Sequence, residues 1–300
     1  MPIKTFAEII EAAKARGPRR VAIAAAHEYE SLWAARHAQD IGIARCTLIG
    51  DVFKIQELAR QHNIDISDME IIHEPTIEGA GRKAVELANA GKADMVMKGK
   101  METAEILVPA LDKEHGLRTG KALTYIAVFE VPGLDRLIFV SDPGVIIAPT
   151  MYQKVEIVQN AIDVAQALGI EQPKVAILTA LENVNPKMPA TVDAASLSKM
   201  AERGQIKGGI VDGPLALDNA ISAQSAEKKG IESRVAGQAD ILITPDIEAG
   251  NVLVKSLTYF ARSEMAAIVV GGRVPLVTPS RSGSDEVKMV SIALGNLLTD

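Results

Sequence analysis

Between residues 274 and 285 the chain reads VPLVTPSRSGSD. A buried-strand pattern ends at Pro279, and a polar loop of Ser280, Arg281, Ser282, Gly283 and Ser284 runs into an amphipathic segment beginning near Asp285. Ser284 or Asp285 suits a helix N-cap, and Glu286 would complement the dipole in the first turn. Capping does not account for Arg281. A cation just ahead of a helix N-terminus opposes the dipole unless an anion lies there to be met. Backbone N–H groups, a guanidinium and the hydroxyls of Ser280 and Ser282 at a strand's carboxyl end have the chemistry of a phosphate cradle.

Three further polar clusters stand at strand ends. Residues 98–103, KGKMET, follow an apolar run and offer Lys98, Lys100 and Thr103. Residues 210–218, IVDGPLALD, read either as a Gly-Pro turn with Asp218 capping the next helix, or as a ligand site built on Asp212 at the end of a strand. Residues 241–251, ILITPDIEAGN, repeat that design with Asp246 and Glu248 at a helix start. Gly250 and Asn251 inside the helical pattern suggest that something approaches closely there. Other patterns carry less. Gly79 and Gly81 do not complete a dinucleotide fingerprint, the stretch 118–121 lacks P-loop spacing, and the five histidines form no i, i+4 pair for a metal. Cys46, alone in an apolar run, reads as a core residue, and no disulfide within the chain is possible.

The elements that must hold these clusters alternate. Short aliphatic runs at 21–26, 46–49, 70–73, 95–98, 125–129 and 137–140, then at 175–178, 209–211, 241–243, 267–270 and 275–277, predict strands. Between them, helical spacing predicts helices over 6–16, 32–39, 53–61, 83–89, 103–111, 155–168, 192–202, 249–260 and 285–298. Such repetition implies right-handed βαβ units and an α/β fold. Val131 to Leu134 contain a Pro-Gly turn, so the two runs beside it are expected to pair antiparallel. Few aromatics, 3%, among 48% hydrophobic residues suit parallel strands buried on both faces. A net charge of -6 lacks the basic footprint of a nucleic-acid binder, so an anionic ligand must be held by local groups. With a single cysteine, no signal-peptide pattern and no long apolar run, the sequence predicts a cytoplasmic chain with no membrane partner.

Over nearly its whole length the sequence resembles the phosphate acetyl/butyryltransferase family, and its butyryl branch most closely. The resemblance is carried, in order, by ADMVMKGK (93–100), GLRTGK (116–121), AVFEVPG (127–133), VNPKMPATVD (184–193), IVDGPLALD (210–218), PDIEAGN (245–251) and the loop from Ser280 to Asp285. It implies a two-lobed α/β fold of the isocitrate/isopropylmalate dehydrogenase type with an interlobe cleft, and a homodimer. Residues 1–140 with 278–300 are expected to form one lobe and 141–277 the other. Ser280, Arg281 and Asp285 look equivalent to the family's catalytic Ser-Arg pair and the Asp that follows, with Ser282 beside Arg281 on phosphate. Lys98, Lys100, Thr103, Asp212, Asp246 and Asn251 are candidates for the cleft. Glu102 stands where the butyryl branch has a histidine, and Val-Thr-Pro-Ser where Leu-Thr-Ser is usual. The implied reaction exchanges an acyl group between coenzyme A and inorganic phosphate, with coenzyme A as substrate, no tightly bound cofactor and no metal. Two alternatives are a metal- and nicotinamide-dependent decarboxylating dehydrogenase, for which Asp212, Asp218, Asp246 and Glu248 would be the acids, and a non-catalytic acyl-CoA-binding relative, which Glu102 would favour.

Overall fold

The computed structural model describes residues 2–280 and 284–299. The chain opens with α1 (Phe6–Arg16), β1 (Arg19–Ala24), α2 (Tyr29–Asp40), β2 (Ala44–Gly50), α3 (Val52–Gln61), β3 (Glu70–His73), α4 (Ile77–Asn89), β4 (Met95–Lys98) and α5 (Thr103–Ala110). It continues with β5 (Thr124–Glu130), β6 (Leu137–Ser141), α6 (Met151–Ala167), β7 (Lys174–Leu178), α7 (Pro189–Glu202), β8 (Ile210–Leu215), α8 (Leu217–Ile221), α9 (Ala223–Lys228), β9 (Ile241–Ile243) and α10 (Ile247–Tyr259). It closes with β10 (Glu264–Val270), β11 (Leu276–Val277) and α11 (Asp285–Leu297).

These elements form two compact units. One takes Phe6–Leu123 together with the chain from Met265 onward, the other Thr124–Glu264 with the first few residues. The changeovers thus fall at 123/124 and 264/265, where the sequence reading placed them at 140/141 and 277/278. The β5–β6 hairpin explains the shift at the first. Its strands pair antiparallel from Ile126↔Ser141 to Glu130↔Leu137, and β6 also pairs with β9, so the hairpin stays whole in the second unit.

In the first unit the strand order is β3-β2-β1-β4-β11-β10, parallel except for the β10–β11 pair. All four residues of β4 are buried, as are the last four of β1, which is why both read as unbroken aliphatic runs rather than alternating ones. Caps set the helix starts. Asp51 accepts from the N–H groups of Phe53 and Lys54, and Thr76 from that of Gly79, each cap contributing about 1 kcal/mol. The last helix, α11, packs on α1 and α2. Its fully buried Asn296 donates to the carbonyls of Gly17 and Ile43, both at 2.8 Å.

The second unit has the order β5-β6-β9-β7-β8. Two readings of its sequence need correction. Gly213-Pro214 is not a turn after a strand; β8 runs through it to Leu215. Proline is tolerated because β8 is the last strand in that order, and its register against β7 shifts between Ala176 and Leu178. Asp218 does not cap a helix either. It is the second residue of α8, and its carboxylate accepts from Ser225 Oγ at 2.7 Å and pairs with Lys229 at 3.0 Å. The short helices α8 and α9 carry no periodic apolar stripe and escape the sequence reading.

Candidate active site

In the first unit β1 leads through α2 to β2 on one side, while the chain later returns to β4 on β1's other side. Loops leaving the carboxyl ends of β1 and β4 therefore diverge, and the crevice at such a switch point is where open α/β sheets bind ligands. The β4 end is held tightly. Gly99 N donates to Ala24 O at 2.7 Å and Lys100 N to Ala25 O at 3.0 Å. A Cβ on Gly99 would lie 2.5 Å from the Ala25 carbonyl oxygen and 2.9 Å from that of Ala24, so only glycine permits this approach. Lys98 is buried, with Nζ 3.4 Å from Met101 O, whereas Lys100 is exposed. Thr103 opens α5 behind its N-cap Glu102, whose N–H donates to Glu105 Oε2 at 2.6 Å. Glu102 is thus a helix-start residue here.

Across the crevice lies His27, three residues beyond β1. Desolvation lowers its pKa first, and the ammonium groups of Lys54 and Lys100 push it in the same direction, so the imidazole is neutral at pH 7. Its Nδ1 is buried without a hydrogen-bond partner among the described residues.

The C-terminal loop leaves β11, which is parallel to β4 with Val277 opposite Met97. Lys98 is the last residue of β4 and Thr278 the first after β11; Thr278 and Pro279 are buried and Ser280 is half-buried. Arg281 and Ser282 lie outside the described residues. Ser284, not Asp285, is the N-cap of α11, its Oγ accepting from Val287 N at 3.3 Å. Asp285 is the first helical residue and stays partly exposed beside the phenol of Tyr29. One turn later, Lys288 is buried and paired with Glu28. Lys98, Lys100, Thr103, Ser280 and Asp285 therefore all stand in one unit, around the carboxyl ends of β4 and β11.

The remaining candidates belong to the second unit. Asp212 accepts from Ser233 Oγ and from its neighbour Gly213 N, and borders a cavity of about 600 Å³ with Glu182, Lys229 and Glu232. Asp246 is the N-cap of α10, accepting from Ala249 N at 2.9 Å, and Asn251 is exposed on that helix. Gly250 marks the close approach its place in the pattern implied: a Cβ there would meet Pro143 Cα at 2.8 Å. The neighbour is a feature sequence reasoning missed. Asp142, 3% exposed, accepts from Tyr125 N at 3.1 Å and from Gly144 and Val145 N at 2.8 Å each. Desolvation raises its pKa against those bonds, which favour the anion. Its signal in the sequence is an acid followed by Pro-Gly at the end of an apolar strand. Among the described residues no three His, Cys, Asp or Glu side chains gather in a way that could hold a metal ion.

A crevice at a parallel switch point, with two lysines at one strand end and a Ser…Asp loop entering a helix at the next, suits an anionic ligand. The comparisons agree. The family model described as "Phosphate acetyl/butaryl transferase" matches residues 5–82 and 74–295. The chain belongs to this family. It is 50% identical over 296 residues to the phosphate butyryltransferase of Clostridium acetobutylicum, covering 99% of this chain and 98% of that one. To the phosphate acetyltransferase of Thermotoga maritima it is 45% identical, covering 96% and 97%. Among solved structures, a branched-chain phosphotransacylase from Enterococcus faecalis V583 superposes with a TM-score of 0.80 at 33% identity, over 94% of this chain and all (100%) of that one. A 4-hydroxythreonine-4-phosphate dehydrogenase from Burkholderia phymatum, 16% identical, has a TM-score of 0.52 over 94% and 99% of the two chains and so shares the fold alone. The dehydrogenase-like two-lobed architecture expected from the resemblance is thereby found. The chain is a phosphate acyltransferase, an enzyme that exchanges an acyl group between coenzyme A and phosphate, and the comparisons do not favour the dehydrogenase and non-catalytic alternatives.

Proposed function

We propose that the protein transfers a short acyl group, of about butyryl size, directly between coenzyme A and phosphate in a ternary complex, with the Ser280–Asp285 loop as its reacting centre. The observation that carries this reading is the pairing of β4 with β11, whose neighbouring carboxyl ends lead to Lys98 and Lys100 on one strand and to Ser280 and Asp285 on the other. The 50% identity to a phosphate butyryltransferase supports the acyl length.

The chemistry follows from these groups. A thiol with an ordinary pKa of about 8.5 is mostly protonated at neutral pH and needs a base. Asp285 takes the thiol proton, and the sulfur attacks the carbonyl carbon of the acyl phosphate. As the C–S bond forms, charge grows on the carbonyl oxygen, where Ser280 Oγ and loop N–H groups donate; one such donor contributes roughly 3–4 kcal/mol to the barrier. The tetrahedral species collapses by breaking the bond from carbon to the phosphoryl oxygen, and phosphate leaves toward Arg281, Ser282 and the positive end of the α11 dipole. The proton held by Asp285 passes to the departing phosphoryl oxygen, so coenzyme A thiol and acyl phosphate give thioester and hydrogen phosphate with the carboxylate restored, and the reverse direction retraces each step. Lys98, Lys100 and Thr103 line the anion's approach from the β4 side; Asp212, Asp246 and Asn251 are the second unit's candidates for substrate contact.

Coenzyme A enters as a substrate and no tightly bound cofactor is invoked. Among the described residues no helix is long and apolar enough to cross a membrane, and a cytoplasmic location accords with the lone cysteine. A homodimer is supported by exposed apolar side chains in the second unit: Tyr152 on α6 is 88% exposed, Val252 and Tyr259 on α10 are 66% and 61%, and Phe260 just after it is 89%. Thiol release from acetyl-, propionyl- and butyryl-CoA, measured with and without phosphate, tests the reading. It should depend on phosphate and be fastest near butyryl; no phosphate response from any thioester would sink it.

A further inference from the structure

Two adjacent residues at the start of α2 hold the first turn of α11. Glu28 Oε1 lies 2.5 Å from the Nζ of Lys288, whose side chain is 2% exposed, and the same oxygen accepts from Ser31 Oγ at 2.6 Å. Tyr29, the next residue, places its phenol beside the carboxylate of Asp285. Its ring is braced from behind by His62, with centroids 4.5 Å apart. Asp285 and Lys288 are three residues apart and so stand one above the other on one face of α11. The ion pair therefore ties that turn to the start of α2, with the Tyr29 phenol beside the carboxylate one turn earlier.

Neither contact serves the helix it comes from. Glu28 is the N-cap of α2, yet its side chain makes no bond to that helix's backbone; its carboxylate oxygen is shared between Ser31 Oγ of α2 and Lys288 of α11. A buried ion pair gives little net stability over an apolar pair of the same volume, because desolving both charges cancels most of their attraction. What Glu28 and Lys288 do provide is a fixed geometry. Burial raises the pKa of the Tyr29 phenol, and the charge of Asp285 beside it adds to the rise, so the hydroxyl keeps its proton and remains a donor.

We propose that Glu28 and Tyr29 are positioning residues for acyl transfer, acting through the first turn of α11 to hold Asp285 toward the crevice between β1 and β4. This rests on the reading of Asp285 as the base. Neither residue touches the reacting atoms; Tyr29 orients the carboxylate and Glu28 seats the turn that carries it.

The test uses the full chain and compares wild type with Tyr29→Phe, with the double variant Glu28→Leu/Lys288→Met, and with Asp285→Asn alone and combined with Tyr29→Phe. Thermal midpoints are read beside kcat and the KM for thioester and phosphate. Tyr29→Phe should keep its midpoint within about 2 °C and both KM values within about twofold, while kcat falls roughly tenfold, as for other groups that orient a functional side chain. The double variant should fold with a midpoint near that of wild type, since the pair is removed as a unit, and still lose about tenfold in kcat. In the Asp285→Asn background, Tyr29→Phe should cost less than about twofold more, because both act through one group. Wild-type kcat in Tyr29→Phe, or in a stably folded double variant, overturns the proposal while a slow Asp285→Asn leaves the base in place. Wild-type kcat in Asp285→Asn overturns both.

Discussion

Replacing Gly99 by alanine tests the claim that the β1–β4 crevice is built by close backbone contact. The added Cβ would stand 2.5 Å from the carbonyl oxygen of Ala25 and 2.9 Å from that of Ala24, and both obstacles are main chain, which cannot rotate away as a side chain would. Restoring an ordinary carbon–oxygen contact of about 3.3 Å requires the strands to part by roughly 0.8 Å. That stretches the two bonds closing the crevice, Gly99 N to Ala24 O at 2.7 Å and Lys100 N to Ala25 O at 3.0 Å. Two weakened hydrogen bonds cost about 1–3 kcal/mol together, and overpacking a buried site adds about 1–3 kcal/mol. A destabilisation of roughly 3 kcal/mol is therefore expected. The same displacement carries Lys100 and the start of α5 with it, and a misplacement of about 1 Å is enough to slow an enzyme on the order of a hundredfold. Urea unfolding gives the first quantity and phosphate-dependent thiol release from butyryl-CoA the second. A Gly99→Ala enzyme within about 0.5 kcal/mol and twofold of wild type would refute the reasoning, because the crevice would then be deformable at no cost.

Asp285→Asn should lower kcat by about 10²-fold or more with thioester and phosphate binding kept; since Ser284 is the cap, stability should scarcely move, and a near-wild-type rate would remove Asp285 from the chemistry. Asp142→Ala strips the acceptor from three part-buried N–H groups and should cost about 3 kcal/mol in urea unfolding; a loss below about 1 kcal/mol would mean that water takes the carboxylate's place. Because burial raises the folded pKa of Asp142 above its unfolded value, its titration contributes stability that is present below the unfolded pKa, near 3.9, and is lost as pH rises through the folded one. Stability of wild type relative to Asp142→Asn should accordingly be greatest at the acid end and decline from about pH 4 upward, and an opposite slope would contradict the assignment. Cys46, buried and with its thiol pushed up to about 12, should resist thiol reagents in the native protein and react only on unfolding.

Sequence alone determined most of the elements and named candidate site residues; which of those candidates share one unit came from the fold. Continuous aliphatic runs marked the strands and period-3.6 patterns the longer helices, because strands buried on both faces need apolar residues throughout and amphipathic helices only on one face; the start of α4, six residues ahead of the predicted 83, was missed. The Gly-Pro at 213–214 misled because its tolerance depends on β8 being an edge strand, a property of strand order rather than of local sequence. Gly250 pointed to a close neighbour but could not say which; tertiary structure supplied Pro143 and the buried Asp142 beside it. Ser284 and Asp285 were equally good caps on the page, and backbone geometry alone chose Ser284. Glu28, Tyr29 and Lys288 gave no signal, since their partners lie about 260 residues away in the chain and only packing of α11 against α2 brings them within bonding distance. Local propensity and periodicity act over a few residues and are written in the sequence. Pairing between distant charges, and burial that decides which acid is desolvated, exist only once the chain has folded.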